Sequence, residues 1–289
     1  MNFNGEPVSV GRDFGGRSLT LDRGLVERYT QAVAESHPLY GEFCPALLLH
    51  SECYENLNWY LENVFGNLHA RQEWELFDAV PVGARVSTRG FIRERYHKRG
   101  RDYVVKETWV LADDGRLLNR GITHQSFLVK QPDSKRIDGD TKSVVGKERE
   151  KLPGRNFDID GENGANILEG DEKHVDEAMC MAFSGPGENY HTSREAARAL
   201  GFPDIVVQGM MPICFLSELL TREFGLGWLA GGKTDLRLVN VLWCGESVRA
   251  RARVLEETPE AGRSRVALDV WVEKADGTKI IVGNAGALR

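Results

Sequence analysis

The chain has 289 residues, 41% of them hydrophobic and 28% charged, with a net charge of −6 and a pI near 5.7. That length suits one large domain or two ordinary ones, with a normal supply of core residues. The acidic balance argues against a dedicated nucleic-acid binder. No run reaches the ~18 apolar residues of a membrane span. The first six residues, Met1-Asn2-Phe3-Asn4-Gly5-Glu6, lack the basic and apolar regions of a secretion signal. The five cysteines, Cys44, Cys53, Cys180, Cys214 and Cys244, are odd in number and form no C-x-x-C pair. They read as small buried hydrophobes in a reducing compartment. The expectation is a cytoplasmic protein with no membrane, nucleic acid or metal partner.

Residues 1–20 read as a loose entry segment with room for one short strand. Residues 22–34 carry Leu25, Val26, Tyr29 and Val33 on one helical face, and Pro38 follows as a stop. A long helix is expected over 46–65, with Leu49, Cys53, Leu57, Tyr60, Leu61 and Val64 at helical spacing and Gly66 at its end. The period then falls to two. Strands are expected over 69–77, 85–96, 102–112 and 117–130, separated by Pro81-Val82-Gly83, Lys98-Arg99-Gly100 and Asp113-Asp114-Gly115. Residues 131–170 are charged, glycine-bearing and aperiodic, which reads as a linker. The first pattern then returns. A lead-in over 174–182 precedes a short helix over 193–200 and a longer one over 209–224. Strands follow near 233–242, 247–256, 264–275 and 279–288, with Asp276-Gly277 as a hairpin turn.

The return is a repeat. Gly83 and Gly245, Val86 and Val248, Trp109 and Trp271, Asp114 and Asp276, Gly115 and Gly277, and Gly121 and Gly283 are all separated by the same 162 positions. A tryptophan, a turn dipeptide and spaced glycines sharing one offset without gaps make two copies of one unit, a helix followed by a four-stranded antiparallel meander. A helix wrapped by a curved sheet buries one face of each.

The chemistry concentrates in the second copy. Ser184-Gly185-Pro186-Gly187-Glu188-Asn189-Tyr190-His191 sets a histidine on a loop before a short helix, and Gly209 opens the long apolar helix. A histidine titrates near working pH, and a helix N-terminus favours a developing anion, so the pair suits proton transfer beside a developing negative charge. Glycine at that mouth permits close approach of a ligand. The bland alternatives are a packing histidine, a solvated Glu188 and a plain N-cap glycine. The run Arg93-Glu94-Arg95-Tyr96-His97-Lys98-Arg99-Gly100-Arg101 reads first as a solvated hairpin tip and only second as a phosphate contact. Tyr54, Trp59, Tyr60 and Phe65 read as core. Gly225-Leu226-Gly227-Trp228-Leu229-Ala230 fits a dinucleotide fingerprint only formally, because it follows a helix and not a strand.

The two-copy pattern resembles the α+β double hotdog fold, and the second-half loop resembles the MaoC-like, or (R)-specific enoyl-CoA hydratase, family. That family's loop reads S-x-D-x-N-P-x-H, followed about 17 residues later by H-G, a helix, and a closing V-x-x-G-D-x-V. Here Ser184 to His191, Gln208-Gly209 and Leu242-Trp243-Cys244-Gly245-Glu246-Ser247-Val248 take those places. Pro186 stands at the aspartate, Glu188 at the asparagine, Asn189 at the proline and Gln208 at the histidine. In the first half, Glu35-Ser36-His37-Pro38-Leu39-Tyr40 sets Glu35 at the aspartate and Tyr40 at the histidine, and Ala46-Leu47 replaces His-Gly.

The resemblance implies a non-catalytic first hotdog over 1–130 that receives the acyl tail, a linker over 131–170, and a catalytic hotdog over 171–289. It implies addition or removal of water at the 2,3 double bond of an acyl-CoA or acyl-carrier thioester. No cofactor is implied beyond the coenzyme A of the substrate, and a homodimer is. His191 is the implied acid or base, Glu188 the stand-in for the missing aspartate, and Gly209 the N–H donor to the thioester oxygen. Asn189, Gln208 and Ser217 are implied to orient substrate or water. One alternative is a non-catalytic or partner-dependent acyl-thioester binder. Another is a hotdog thioesterase, with Glu52, Glu55 and Glu218 as candidate carboxylates on or near the long helices.

Overall fold

The computed structural model describes residues 2–3, 6–53, 67–128, 157, 159, 164 and 166–289. Strands β1 (Asn2–Phe3) and β2 (Glu6–Pro7) form a small ladder of their own. The other strands are β3 (Ser18–Thr20), β4 (Leu68–Leu76), β5 (Arg85–Lys98), β6 (Arg101–Ala112), β7 (Leu117–Leu128), β8 (Ile167–His174), β9 (Lys233–Leu238), β10 (Ser247–Glu260), β11 (Arg263–Lys274) and β12 (Lys279–Leu288). They make one antiparallel sheet in the order β3-β5-β6-β7-β4-β9-β12-β11-β10-β8. Each half supplies five adjacent strands, and β4 pairs with β9 at the seam.

The repeat is visible bond by bond. Gly115 and Gly277 both have φ near +80° and both donate at 2.9 Å to the residue three back, Ala112 and Lys274. Gly83 N donates to Leu21 O at 2.7 Å, and Gly245 N to Val175 O at 2.7 Å. Across the seam Arg71 pairs with Arg237 and Glu75 with Lys233, around a central pair Glu73↔Asp235. Glu73 and Asp235 are themselves 162 positions apart, so a pseudo-two-fold axis passes between them.

The helix Met210–Phe224 lies against β8, β10, β11 and β12. Its residues are mostly strong helix formers, and Gly225, at φ 53°, ends it. Nearly every side chain from Met210 to Leu220 is buried. The helices Arg23–Ala32 and Glu177–Ser184 occupy matching places and pack on each other. Each is N-capped by an aspartate, Asp22 or Asp176, that accepts from the third residue on at 2.8 Å. Among the described residues no helix is long and apolar enough to cross a membrane.

Four expectations change. The entry segment over 1–20 carries three short strands, β1, β2 and β3, instead of one. Residues 46–53, expected to open the long first-half helix, form tight turns ending in the 3-10 segment His50–Cys53. Their bonds reach three residues back, as in Leu48 N to Pro45 O and Glu52 N to Leu49 O, both 3.0 Å. The rest of that helix, with Tyr54, Glu55, Trp59, Tyr60 and Phe65, lies outside the described residues. The segment read as linker gives up its end to β8, which starts at Ile167. The strand expected over 233–242 stops at Leu238.

Candidate functional site

The loop after Glu177–Ser184 is built around Asn189. Its side-chain oxygen accepts from His191 N at 2.8 Å, and its amide donates to Ser184 O at 3.3 Å. Its backbone N–H donates to Thr192 Oγ1 at 2.9 Å, and that hydroxyl donates to Gly187 O at 2.9 Å. Asn189, expected to meet substrate, is therefore engaged in shaping the loop. Ser193 then caps the short helix Arg194–Ala199.

The loop delivers His191 in one tautomer. Nδ1 lies 2.7 Å from Val206 O, and a carbonyl only accepts, so Nδ1–H donates and Nε2 carries the lone pair. Val206 N donates back to Tyr190 O at 3.1 Å, which clips the histidine to the segment leading into Gly209. Burial pushes the imidazole down to about 4, with the Val206 contact opposing it, so the ring is neutral at pH 7.

Gly209 precedes Met210–Phe224, which starts without a side-chain cap. Its first-turn N–H groups and the helix dipole suit an anion. A Cβ here would fall 2.5 Å from Leu238 Cδ2 and 3.3 Å from His69 Nδ1. A larger residue here would have to displace the Leu238 side chain. Gln208 is half-buried, and its carbonyl accepts from Met211 N at 2.9 Å.

Two other expected members stand apart. Glu188 is exposed, and among the described residues no hydrogen bond or ion pair ties it to His191. Ser217 is buried and accepts from Trp228 Nε1 at 3.0 Å, so its hydroxyl fixes the indole of the next helix, Leu226–Leu229. Of the thioesterase candidates, Glu52 is ion-paired to Arg17 and hydrogen-bonded by Thr88 at 3.0 Å, and Glu218 is paired to Lys173 at 2.9 Å. Glu55 lies outside the described residues.

The first-half loop is a second, sealed copy. Phe43 N donates to Leu39 O as Val206 N does to Tyr190 O, which makes Tyr40 the counterpart of His191 and Glu35 that of Pro186. Cys44 N bonds Val80 O as Val207 N bonds Leu242 O, so Gly209 matches Ala46. The counterpart of Gln208-Gly209 is thus Pro45-Ala46, one residue before the expected Ala46-Leu47. Tyr40 donates to the buried Glu35 and lies 3.4 Å from Thr221 in the other half's helix. Thr221 is twelve residues from Gly209, roughly 18 Å along a helix. The two copies therefore serve separate places.

A 350 Å³ cleft opens at the seam, lined by Glu73, Glu75, Arg120, Lys233, Asp235 and Asn284 among others. No residue of the His191 loop or of the helix N-terminus lines it, so its chemistry is separate. Among the described residues no three His, Cys, Asp or Glu side chains converge as metal ligands. No motif or spacing singles out His69, which the structure sets against Gly209.

No protein-family model and no curated protein matches the sequence. Solved structures do match. A MaoC-like dehydratase superposes with a TM-score of 0.72 at 14% identity, covering 97% of this chain and 98% of its own. A MaoC-like dehydratase from Phytophthora capsici gives 0.64 at 15%, covering 96% and 95%. A Mycobacterium tuberculosis protein described as having a double hotdog fold gives 0.57 at 16%, covering 97% and 96%. With each half a five-stranded set and the two joined at β4–β9, this chain has the double hotdog fold seen in MaoC-like dehydratases.

Proposed function

We propose that the chain is a MaoC-like hydratase or dehydratase acting at the 2,3 double bond of an acyl-CoA or acyl-carrier thioester. The observation that carries this reading is the fixed tautomer of His191, bonded to Val206 three residues before an uncapped helix N-terminus. In hydration, Nε2 accepts a proton from water as the water oxygen bonds to C3. The C2–C3 π electrons move toward the thioester, and its oxygen takes the charge at the Gly209 N–H. His191 then returns that proton to C2, so the net change is addition of one water. Dehydration is the reverse. The exposed Glu188 has no part in this scheme. A second reading, an acyl-thioester binder without turnover, is favoured by Pro186, which leaves the loop without its carboxylate.

The test is hydration of a short and a bulky enoyl-CoA, followed by loss of enoyl absorbance. His191→Ala is expected to lower kcat by about 10²–10³-fold, the usual scale of acid–base catalysis, while Glu188→Gln stays within about three-fold. Well-folded protein that turns over neither thioester would reject the enzyme. Turnover unchanged in His191→Ala would keep the enzyme and reject the site.

A further inference from the structure

We propose that His69, carried by the first half, is a second catalytic histidine of the site at Gly209 and contacts the thioester bound there. This rests on the acyl-thioester reading above. It names the group that works beside His191 in a loop that has Pro186 in place of a carboxylate.

The placement of His69 is built, not incidental. Along β4 the inward side chains are Gln72, Trp74 and Leu76, while Arg71, Glu73 and Glu75 are only partly covered. By simple alternation His69 would follow Arg71 and Glu73 to the outer face. The pairing of β4 with β7 slips between His69 and Arg71, however. A bulge of this kind re-aims a side chain. It turns His69 inward, onto the face of Gln72, until its Nδ1 stands 3.3 Å from the Cβ position of Gly209.

The ring is also oriented. Gln72 Nε2 donates to Glu73 O at 3.1 Å, which fixes the amide. Gln72 Oε1 accepts from Thr123 Oγ1 at 2.8 Å and faces His69 Nε2 at 3.1 Å. The Thr123–Gln72–His69 chain follows the logic of a catalytic base held by an orienting partner. Gln72 and Thr123 are fully buried. Burial holds the His69 imidazole down to about 4, so it is neutral at working pH, as His191 is. Its place at the seam matters too. β4 and β9 are neighbours, and Leu238 at the end of β9 packs against the same side of Gly209 as His69. One half thus presents the helix N-terminus, and the other presents an imidazole to the same spot.

The test uses the whole chain with enoyl-CoA as substrate and hexanoyl-CoA, which has no double bond to hydrate, as the binding probe. Histidine ring signals are followed by 15N NMR, and that of His69 is identified by its loss in His69→Gln. The ring signal of His69 should move on adding hexanoyl-CoA, while that of His174, exposed on β8, stays. His69→Ala should lower kcat by about 10²-fold with a smaller change in KM, and His174→Gln should leave both unchanged. If His69→Ala does not fold, the His69→Gln kinetics and the wild-type spectra still decide. An unmoved His69 signal with kcat in the variants within about three-fold of wild type overturns the proposal and leaves the hydratase reading standing. Wild type that neither binds hexanoyl-CoA nor hydrates enoyl-CoA rejects that reading, and this proposal with it.

Discussion

Glu35 shows what became of the first-half loop at the level of single atoms. It is 6% exposed, accepts from the Tyr40 hydroxyl through one oxygen, and has no partner for the other, Oε2, among the described residues. Burial pushes its carboxyl up to about 8; the Tyr40 bond opposes this, Glu218 adds to it, and Lys173 opposes it again. The folded state therefore holds a proton that the unfolded chain releases near its ordinary value of 4.5. The stabilisation is complete below that value and is lost as pH rises to about 8, by about 1.4 kcal/mol per unit. His50, His69 and His191 act oppositely. Each is pushed down to about 4 by burial, so their contribution is complete above 6.5 and is lost as pH falls toward 4. Between about 6.5 and 8 Glu35 alone of these four changes state. Urea unfolding of the wild type should weaken across that window, and Glu35→Gln should be flat there. An equal slope in both would show that Glu35 is already ionised at neutral pH. The sequence aligned Glu35 with an aspartate position, but only packing shows that this carboxyl is sealed from solvent. It could not show that Asn189 serves the loop or that Ser217 holds an indole, because both depend on what folds against them.

The elements were more legible than the residues, wherever the period was two. The meander strands and their glycine turns follow from alternation and turn chemistry, and the offset fixed their equivalence. The residues around 46–53 were less so, because a helical apolar spacing also suits successive tight turns, and Glu52 is drawn instead to Arg17 and Thr88. Two glycines that marked the repeat turn out to have different reasons. A Cβ on Gly121 would meet the Trp74 ring at 2.8 Å and Cys53 Sγ at 2.9 Å, both side chains. A Cβ on Gly283 would lie 2.1 Å from the backbone oxygen of Asp235 on the neighbouring strand. Side chains can shift a few tenths of an ångström, whereas a paired strand moves only by giving up its ladder. Gly283→Ala should therefore cost more stability than Gly121→Ala, with the latter at about 1–3 kcal/mol as for ordinary overpacking. Thermal melts of the two variants give the comparison, and an equal or reversed order would mean that β9 yields more readily than its pairing suggests.

At the scale of the whole molecule, the repeat gave two units but not the way they join. The join is a shared sheet. Without its partner, each half would expose β4 or β9 as an open edge, with unpaired N–H and C=O groups beside apolar side chains such as Trp74 and Leu236. The buried core is also continuous, running from Leu21 and Val86 in the first half to Val248 and Ala287 in the second. Tyr40, Glu35 and Lys173 tie the first-half loop to the second-half helix, since Lys173 donates to Ala34 O at 2.6 Å while paired with Glu218. With edge, core and loop all shared, the halves should unfold together. Val86 and Val248 give a matched probe, because they occupy the same place in the two copies and are 0% and 1% exposed. Val86→Ala and Val248→Ala should each cost about 2 kcal/mol, from lost methyl burial and the cavity left behind. In urea both should shift one transition, with far-UV and near-UV circular dichroism coinciding for each variant. Two separated transitions, only one of them moved by a given variant, would show instead that each hotdog stands alone and that the β4–β9 seam forms after folding.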